Sequence, residues 1–181
     1  MILSDSELVE MLREPHTRRE GFAVLVKQYS EKLYWKVRRI VLSHEDANDV
    51  LQNVFIKVWS NLQNFQGKSS LSTWLYRIAV NESLDFLRKQ KLADKVSADE
   101  DVSVASRLMS DEYFDGDEVQ ARLQEAVARL PEVQRTVFNL KYFEEMKYSE
   151  ISQILNTSEG ALKASYHLAV KKITEYLHLF D

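Results

Sequence analysis

The chain has 181 residues, a net charge of −4, 45% apolar residues and 29% charged residues, which allows one or two domains with packed cores. It has no cysteine, which excludes disulfides and thiolate metal sites and fits a reducing cytoplasm. No run approaches the roughly 20 apolar residues of a membrane-spanning helix, so we expect no membrane insertion, and the scarcity of Gly and Pro favours long helices.

Acidic side chains are concentrated in the middle of the chain. Residues 1–96 have a net charge of +3, residues 97–118 have −7, and residues 119–181 have 0. Ser and Gly are interspersed with the acids, so we predict an acidic flexible linker at 97–117 between domains at 1–96 and 118–181. Val104, Leu108 and Met109 could form one short helix in a bound state.

Two helices are predicted at the beginning of the chain. The first, Ser4 to Arg13, starts with a capping box in which Ser4 and Glu7 each accept the other's backbone N–H. After Pro15, apolar spacing predicts a long helix from Arg18 to Ser43. Its predicted buried stripe is Phe22, Leu25, Val26, Tyr29, Leu33, Val37, Ile40 and Val41, with Lys32, Lys36, Arg38 and Arg39 mostly outside.

The stretch 46–59, DANDVLQNVFIKVW, predicts a helix with one buried face. Ala47, Val50, Leu51, Val54 and Val58 form that face. The opposite face groups a carboxylate, two amides and an aliphatic side chain, which suits contact with another protein. These residues are Asp49, Gln52, Asn53 and Ile56. The alternative is an ordinary amphipathic core helix with one exposed isoleucine.

A loop at 63–70 leads into a helix predicted from Leu71 to Leu92. Gly67-Lys68-Ser69 matches the end of a phosphate-binding P-loop, but Leu62 occupies the position of the required first glycine and a helix precedes it, so we reject that interpretation. The helix interleaves aromatic rings with cations, as single-stranded nucleic acid requires for stacking and phosphate contact. Alternatively, Trp74 and Tyr76 pack in the core and the cations are solvated.

The second domain is predicted to be helical from Glu118. Val119, Leu123, Ala126, Val127 and Leu130 are expected on the buried face of one helix, and Val133, Val137, Phe138, Leu140 and Tyr142 on that of the next, which Pro131 opens. Tyr148 to Leu155, the turn Asn156-Thr157 and Ser158 to Ala169 form a helix-turn-helix pattern, with a small core of Ile151, Ile154, Leu155, Leu162, Tyr166 and Ala169. The alternative is a helical hairpin with no role in DNA binding.

These segments, in this order, resemble a bacterial RNA polymerase sigma factor of the small, two-domain extracytoplasmic-function (ECF) type. The resemblance rests on DANDVLQNVFIKVW at 46–59, STWLYRIAVNESLDFLRK at 72–89 and LPEVQRTVFNLKYFEEMKYSEISQILNTSEGALKAS at 130–165. It implies an all-α protein of two small helical domains joined by an acidic linker, the second containing the helix-turn-helix. It also implies binding to core RNA polymerase and promoter-specific initiation of transcription.

The resemblance assigns expected roles to individual positions. The clamp helices of the largest polymerase subunit are expected to bind Asp49, Gln52, Asn53 and Ile56. The promoter minus-ten element, with one base flipped out and the strands separated, is expected to contact Phe65, Lys68, Ser69, Trp74, Tyr76, Arg77, Asn81, Arg88 and Lys89. The minus-thirty-five element is expected to contact Ser158, Glu159, Lys163, Ser165, Tyr166, His167 and Lys171.

Four positions, in three places, depart from the pattern of the ECF group. Asn53 stands where an acid is usual, and Lys147 replaces a Ser that usually caps the first helix of the motif. Ala164 and Leu168 replace more polar or basic residues on the recognition helix, which leaves Lys163 as its main cation.

The resemblance further implies a cytoplasmic protein, promoter DNA in duplex and single-stranded form as a partner, and an anti-sigma factor as a second partner. We expect no enzyme activity and no cofactor, because the implied mechanism requires no catalytic group. We also expect no metal, because the histidines lack metal spacing. A duplex-binding regulator that uses residues 1–96 to contact proteins remains an alternative; it predicts duplex binding without polymerase. An adaptor without a DNA role is another, and its binding would have no salt dependence.

Overall fold

A computed structural model describes residues 2–93 and 116–180 of the protein, with backbone alone at 91–93. The chain divides into two compact units, Met1–Ala93 and Asp94–Asp181. All regular elements in the described residues are helical, which confirms the predicted all-α class. The predicted linker lies outside the described residues except for its last two positions, as does the short helix expected around Leu108.

The first unit consists of four α-helices and one short 3₁₀ turn in its described residues. They are α1 (Asp5–Arg13), α2 (Arg18–Val41), α3 (His44–Asn61), the 3₁₀ turn Leu62–Asn64 and α4 (Leu71–Ala93). α2, α3 and α4 pack against one another, and α1 lies mainly against α2. The shared core contains Leu8, Leu25, Leu33, Val37, Val50, Val54, Val58, Leu71, Leu75 and Ala79.

Local capping determines where these helices begin. The predicted capping box of α1 is confirmed: the Glu7 carboxylate accepts the Ser4 N–H at 2.8 Å, and Ser4 Oγ accepts the Glu7 N–H at 3.3 Å. α2 ends before its predicted last residue, because Leu42 adopts a left-handed conformation with φ 70°. Ser43 then caps α3, since its Oγ accepts the Asp46 N–H at 3.4 Å.

Three cations of α2 that were predicted to lie mostly outside are partly or fully buried. Arg38 is only 5% exposed, and Lys36 and Arg39 are half-buried. The prediction was wrong for Arg38, whose guanidinium Nε is buried along with its methylene stem. Lys32 is exposed as predicted.

The second unit contains four further α-helices in its described residues. They are α5 (Glu118–Ala128), α6 (Glu132–Phe138), α7 (Tyr148–Leu155) and α8 (Glu159–Leu177), with a π-helical turn at Asn139–Phe143 and a 3₁₀ turn at His178–Phe180. Asn156, at φ 51°, forms the left-handed turn between α7 and α8. A core cluster consists of Ala126, Val127, Leu130, Phe138, Ala169 and Ile173.

Three apolar residues of this unit are exposed although they were predicted to be buried. Val119 is 71% exposed, Val133 60% and Tyr142 52%. Val119 and Val133 are each the second residue of their helix, so both lie in the first helical turn. Tyr142 lies in the π-helical turn, which breaks the regular helical spacing on which the prediction depended.

No helix among the described residues combines the length and apolarity needed to cross a bilayer.

Candidate nucleic-acid interface

One face of α3 is exposed where the sequence predicted a protein contact. Asp49, Gln52 and Asn53 are exposed, and Ile56 is 57% exposed. The opposite face is buried in the core: each of its residues is at most 1% exposed, namely Ala47, Val50, Val54 and Val58. The structure therefore brings the four predicted residues together on one solvent-facing stripe.

Trp59 extends this stripe by one further turn, and sequence reasoning missed it. Its indole is 44% exposed and lies one turn beyond Ile56. Phe22 of α2 supports the ring edge-on at a centroid distance of 4.9 Å. A half-exposed tryptophan on a rigid helix is a typical anchor of protein interfaces. The i+3 spacing from Ile56 was the available signal.

The loop after α3 and the outer face of α4 meet through two aromatic rings. Phe65 packs on Trp74 with ring centroids 5.1 Å apart. Gly67 gives the loop its turn at φ 70°, and Ser70 caps α4 by accepting the Thr73 N–H at 3.1 Å. The rings are half-buried, so each keeps an exposed part.

Most of the predicted minus-ten residues on α4 share one face. Trp74, Arg77, Asn81 and Arg88 follow i, i+3, i+7, i+14 spacing, which places them along one side of the helix. Asn81 and Arg88 are exposed and Arg77 is half-buried, with no hydrogen-bond partner at Nε in the described structure. Lys89, Lys68 and Ser69 lie on the same helix or its preceding loop, with Ser69 half-buried and both lysines exposed.

Tyr76 lies apart from this face. Its half-buried ring carries Lys36 Nζ of α2 at 4.0 Å from the centroid. Burial, and then the charges of Arg39 and Lys32, lower the pKa of Lys36 to about 8. Burial and the charge of Asp5 raise the pKa of Tyr76. The structure thus groups Tyr76 with α2 and not with Trp74.

The second unit presents a helix-turn-helix in which α8 is the second helix. Ser158 caps it by accepting the Ala161 N–H at 3.3 Å. The predicted contact residues Ser158, Glu159, Lys163, His167 and Lys171 are exposed, and Ser165 is half-buried. Leu162 is fully buried, so the helix is fixed by its inner face while its outer face stays accessible.

Tyr166 is placed to brace this unit. Its half-buried ring stacks on Phe138 at 5.8 Å and meets Tyr148 edge-on at 6.4 Å. Lys163 Nζ lies 5.7 Å from the Tyr148 ring centroid, and Lys141 Nζ lies 4.9 Å from it. These contacts link α8 to α7 and to the turn before it.

Family comparisons match both units of the chain. Residues 25–93 match the family model for Sigma-70 region 2, and residues 120–173 match that for Sigma-70, region 4. The solved sigma factor RpoE of Bartonella quintana, in complex with the anti-sigma factor NepR, is similar at a TM-score of 0.71, with 20% identity over 88% of this chain and 98% of that one. CnrH in complex with the cytosolic domain of CnrY is similar at 0.66, with 20% identity over 98% of this chain and 96% of that one.

Sequence relatives extend over most of the chain. The ECF RNA polymerase sigma factor SigW of Bacillus subtilis is 33% identical over 157 residues, which are 82% of this chain and 84% of that protein. The RNA polymerase sigma-H factor of Pseudomonas aeruginosa is 30% identical over 182 residues, covering 96% and 93%. These relatives are initiation factors rather than catalysts. The chain therefore belongs to the ECF group of the sigma-70 family, whose members bind core RNA polymerase and direct it to specific promoters for transcription initiation.

Proposed function

We propose that the first unit binds core polymerase through the α3 face and holds the separated minus-ten strand on the outer face of α4. The observation that supports this proposal is that α3 and α4, which pack together with α2, each expose a face of different chemical character. The α3 face is mixed apolar and polar, as protein interfaces are. The α4 face combines rings with cations, as single-strand sites do.

The polymerase contact is made by Asp49, Gln52, Asn53, Ile56 and Trp59, against the clamp helices of the largest subunit. Ile56 and Trp59 supply apolar contact area. The three polar residues, Asp49, Gln52 and Asn53, determine the orientation in which the two proteins bind. Asn53 contributes a neutral amide where the ECF group usually has an acid, so charge attraction at this contact rests on Asp49. Because the face is on a helix whose other side is fully buried, little ordering is needed on binding.

Truncating this face should weaken polymerase binding without unfolding the unit. We expect Trp59→Ala to weaken binding to core polymerase by about 10–100-fold, the usual range of an aromatic anchor. Asp49→Ala should weaken it less. Glu31→Ala, which removes an exposed carboxylate from α2, is the matched control and should have no effect. Equal affinity of all variants by fluorescence anisotropy would refute the assignment.

Strand opening is attributed to the loop at 65–70 and to α4. Opening one base pair and unstacking its base costs a few kcal/mol, which a pocket for the flipped base and rings for its neighbours offset only for the correct base. Phe65, Lys68, Ser69 and Asn81 line the proposed base site, and Trp74 and Arg77 hold the adjacent strand. Arg88 and Lys89 contact phosphates further along α4.

Tyr76 takes part indirectly in this scheme, by positioning α4 against α2 beneath Lys36. No catalytic group is needed, since the work is done by binding alone. Recognition and melting then become one step, because the energy that opens the duplex is released only when the flipped base fits.

Permanganate footprinting separates opening from polymerase binding. With core polymerase at saturation, Asn81→Ala and Trp74→Ala should each reduce thymine reactivity around the minus-ten element by about tenfold. Trp74→Ala removes a stacking contact that contributes about 1–3 kcal/mol, and Asn81→Ala removes a hydrogen-bonding amide whose loss costs a similar amount. Gln52→Ala is the matched amide control and should leave opening intact once core is saturating. Parental reactivity in both α4 variants would contradict this role.

The second unit is proposed to seat α8 in the major groove of the minus-thirty-five element. Lys163 and His167 face outward at the middle of α8, with Ser158 and Glu159 at its N-terminal end and Lys171 beyond. Ser165 lies at the edge of that face, and Tyr166 braces it from inside. Lys163→Ala should reduce duplex affinity of the holoenzyme more than Lys172→Ala does.

We further propose two linked features of the cellular setting. The linker at 97–117 joins two weak DNA contacts and runs through polymerase channels shaped for nucleic acid, which suits its negative charge. The protein acts in the cytoplasm, where polymerase and chromosome are, and is restrained there by an anti-sigma protein, as the similar sigma factor RpoE is found in complex with the anti-sigma factor NepR. An anti-sigma partner should compete with core polymerase for the α3 or α4 face.

A further inference from the structure

The N-terminal helix α1 lies beside the loop that we assign to the flipped base. It precedes the residues matched by the region 2 family model, which begin at 25. Besides packing on α2, α1 contacts the 3₁₀ turn Leu62–Asn64 and α4. Its last residue, Arg13, reaches the loop itself: Arg13 Nη2 lies 3.5 Å from the point where a Cβ on Gly67 would stand.

The Arg13 guanidinium has no structural partner among the described residues. It is exposed, and no hydrogen bond or ion pair in the described part of the chain holds its nitrogens. The free carbonyl groups at the C-terminus of α1 are satisfied by another residue. Arg18 donates to the Leu12 carbonyl at 3.0 Å and to the Arg13 carbonyl at 3.3 Å. Arg13 therefore offers its planar donor fork to an external anion.

The adjoining loop adds a second cation. Lys68 follows Gly67 directly and is exposed. Arg13 and Lys68 are thus a cation beside Gly67 and a cation next to it in sequence, and an anion bound at this loop would be attracted to both. Gly67 lacks a side chain, so the backbone there allows a close approach.

We propose that Arg13 binds a backbone phosphate of the separated promoter strand, next to the base held by the 65–70 loop, together with Lys68. This inference rests on the function proposed above and extends it to α1. Arginine suits the task because its fork matches two phosphate oxygens. The contact would position the strand and would carry no sequence information of its own.

The test uses holoenzyme and a fluorescein-labelled single-stranded oligonucleotide carrying the minus-ten non-template sequence of a promoter that the holoenzyme transcribes. Affinity is measured by anisotropy over a KCl series for the parent, Arg13→Ala, Arg13→Lys and Arg19→Ala. Arg19 is the matched control, an exposed arginine in the first turn of α2.

We expect Arg13→Ala to weaken binding about tenfold, in line with loss of one hydrogen-bonded charge contact. The slope of log affinity against log salt should fall by about 0.7, the value for one phosphate on a single strand. Arg13→Lys should keep the parental slope, and Arg19→Ala should keep both slope and affinity. A purely structural role for Arg13 would lower the melting temperature without changing the salt slope.

The inference is overturned if Arg13→Ala keeps the parental slope or behaves as Arg19→Ala does. Asn81→Ala is measured in the same series, so that failure of the inference about Arg13 can be distinguished from failure of the proposed function. If Asn81→Ala loses affinity while Arg13→Ala does not, the inference about α1 alone is wrong. If neither variant differs from the parent, the α4 assignment fails with it.

Discussion

Close approach of two helices makes Gly21 a sensitive position. A Cβ built at Gly21 would lie 2.8 Å from Met11 Cβ and 3.3 Å from the Met11 carbonyl carbon. Neither atom can rotate away, so Gly21→Ala should lower the free energy of unfolding by about 1–2 kcal/mol, after the gain in helix propensity is deducted.

Gly160 is the matched control for Gly21. It is also helical, but nothing lies within 4 Å of a Cβ built there. Gly160→Ala should therefore stabilise by up to about 1 kcal/mol. Urea unfolding measures both variants, and a destabilised Gly160→Ala or an unchanged Gly21→Ala would contradict the packing described here.

Lys36 makes stability depend on pH in a specific window. Burial lowers its pKa from 10.5 to about 8 in the folded state. Between these values the unfolded chain binds a proton that the folded chain does not, so this residue makes stability rise as pH increases from about 8 towards 10. Above 10 the raised pKa values of Tyr29 and Tyr76 act in the opposite direction.

Replacing Lys36 by methionine should remove this rise. Met keeps much of the apolar stem but carries no proton, so the difference in melting temperature between pH 8 and pH 10 should be smaller in Lys36→Met than in the parent. Lys27→Met, at an exposed position on the same helix whose charge does not contribute to the lowered pKa of Lys36, should retain the parental difference. Identical pH profiles for parent and Lys36→Met would show that Lys36 is not desolvated.

The sequence pattern correctly predicted which apolar residues of α3 are buried. It did not correctly predict how exposed the cationic side chains of α2 are. Val50, Val54 and Val58 follow simple helical spacing, and each is at most 1% exposed. Arg38 and Lys36 were placed outside because charge suggests solvent. The half-buried Lys36 lies over the ring of Tyr76 from α4, a neighbour that spacing within α2 does not reveal.

At the scale of elements, the start of α7 carries an incomplete cap. The Glu150 carboxylate accepts the Lys147 N–H at 2.8 Å, but a lysine side chain has no acceptor for the backbone of the helix. Lys147→Ser should complete the capping box and stabilise the second unit by about 0.5–1 kcal/mol. Ser158→Ala, which removes the complete cap of α8, should destabilise it by a similar amount. Thermal unfolding compares the two, and equal melting temperatures would contradict this reading of the caps.

Helix boundaries were predicted correctly where the sequence contains a capping residue. They were predicted incorrectly where the three-dimensional packing determines where a helix ends. Ser4 and Pro131 marked helix starts correctly. Leu42 gave no warning of its left-handed conformation, since leucine rarely adopts it. The π-helical turn at Asn139–Phe143 likewise has no local signal, and it turned Tyr142 outward, where it stacks on Phe138 at 5.0 Å.

At the scale of the whole molecule, the order of segments was more informative than any one of them. The α3 face alone fits an ordinary amphipathic helix, and the helix-turn-helix alone fits many proteins. Their succession along the chain predicted the sigma-70 family, which the region 2 and region 4 matches confirm. Trp59 could have been found from its i+3 spacing from Ile56, whereas the position of Arg13 beside Gly67 arises only on folding.

The proposed division of DNA binding between two units predicts a strong dependence on polymerase. The free chain should bind promoter duplex weakly, because each unit by itself can use only its own part of the proposed contacts. Polymerase fixes both units at once and raises the effective concentration of the second contact, so apparent affinity should increase by about 100-fold or more. Anisotropy with and without core measures this, and equal affinities would favour a regulator that binds duplex independently.

The most direct test of the account is run-off transcription with purified core polymerase on a genomic promoter pool. Adding the chain should produce transcripts from a subset of promoters. Trp59→Ala should lose them through weaker core binding, and Asn81→Ala should lose them even when core is saturating. Transcripts that are the same with and without the chain, or undiminished by Asn81→Ala, would contradict the claim that one small helical unit both binds polymerase and opens the promoter.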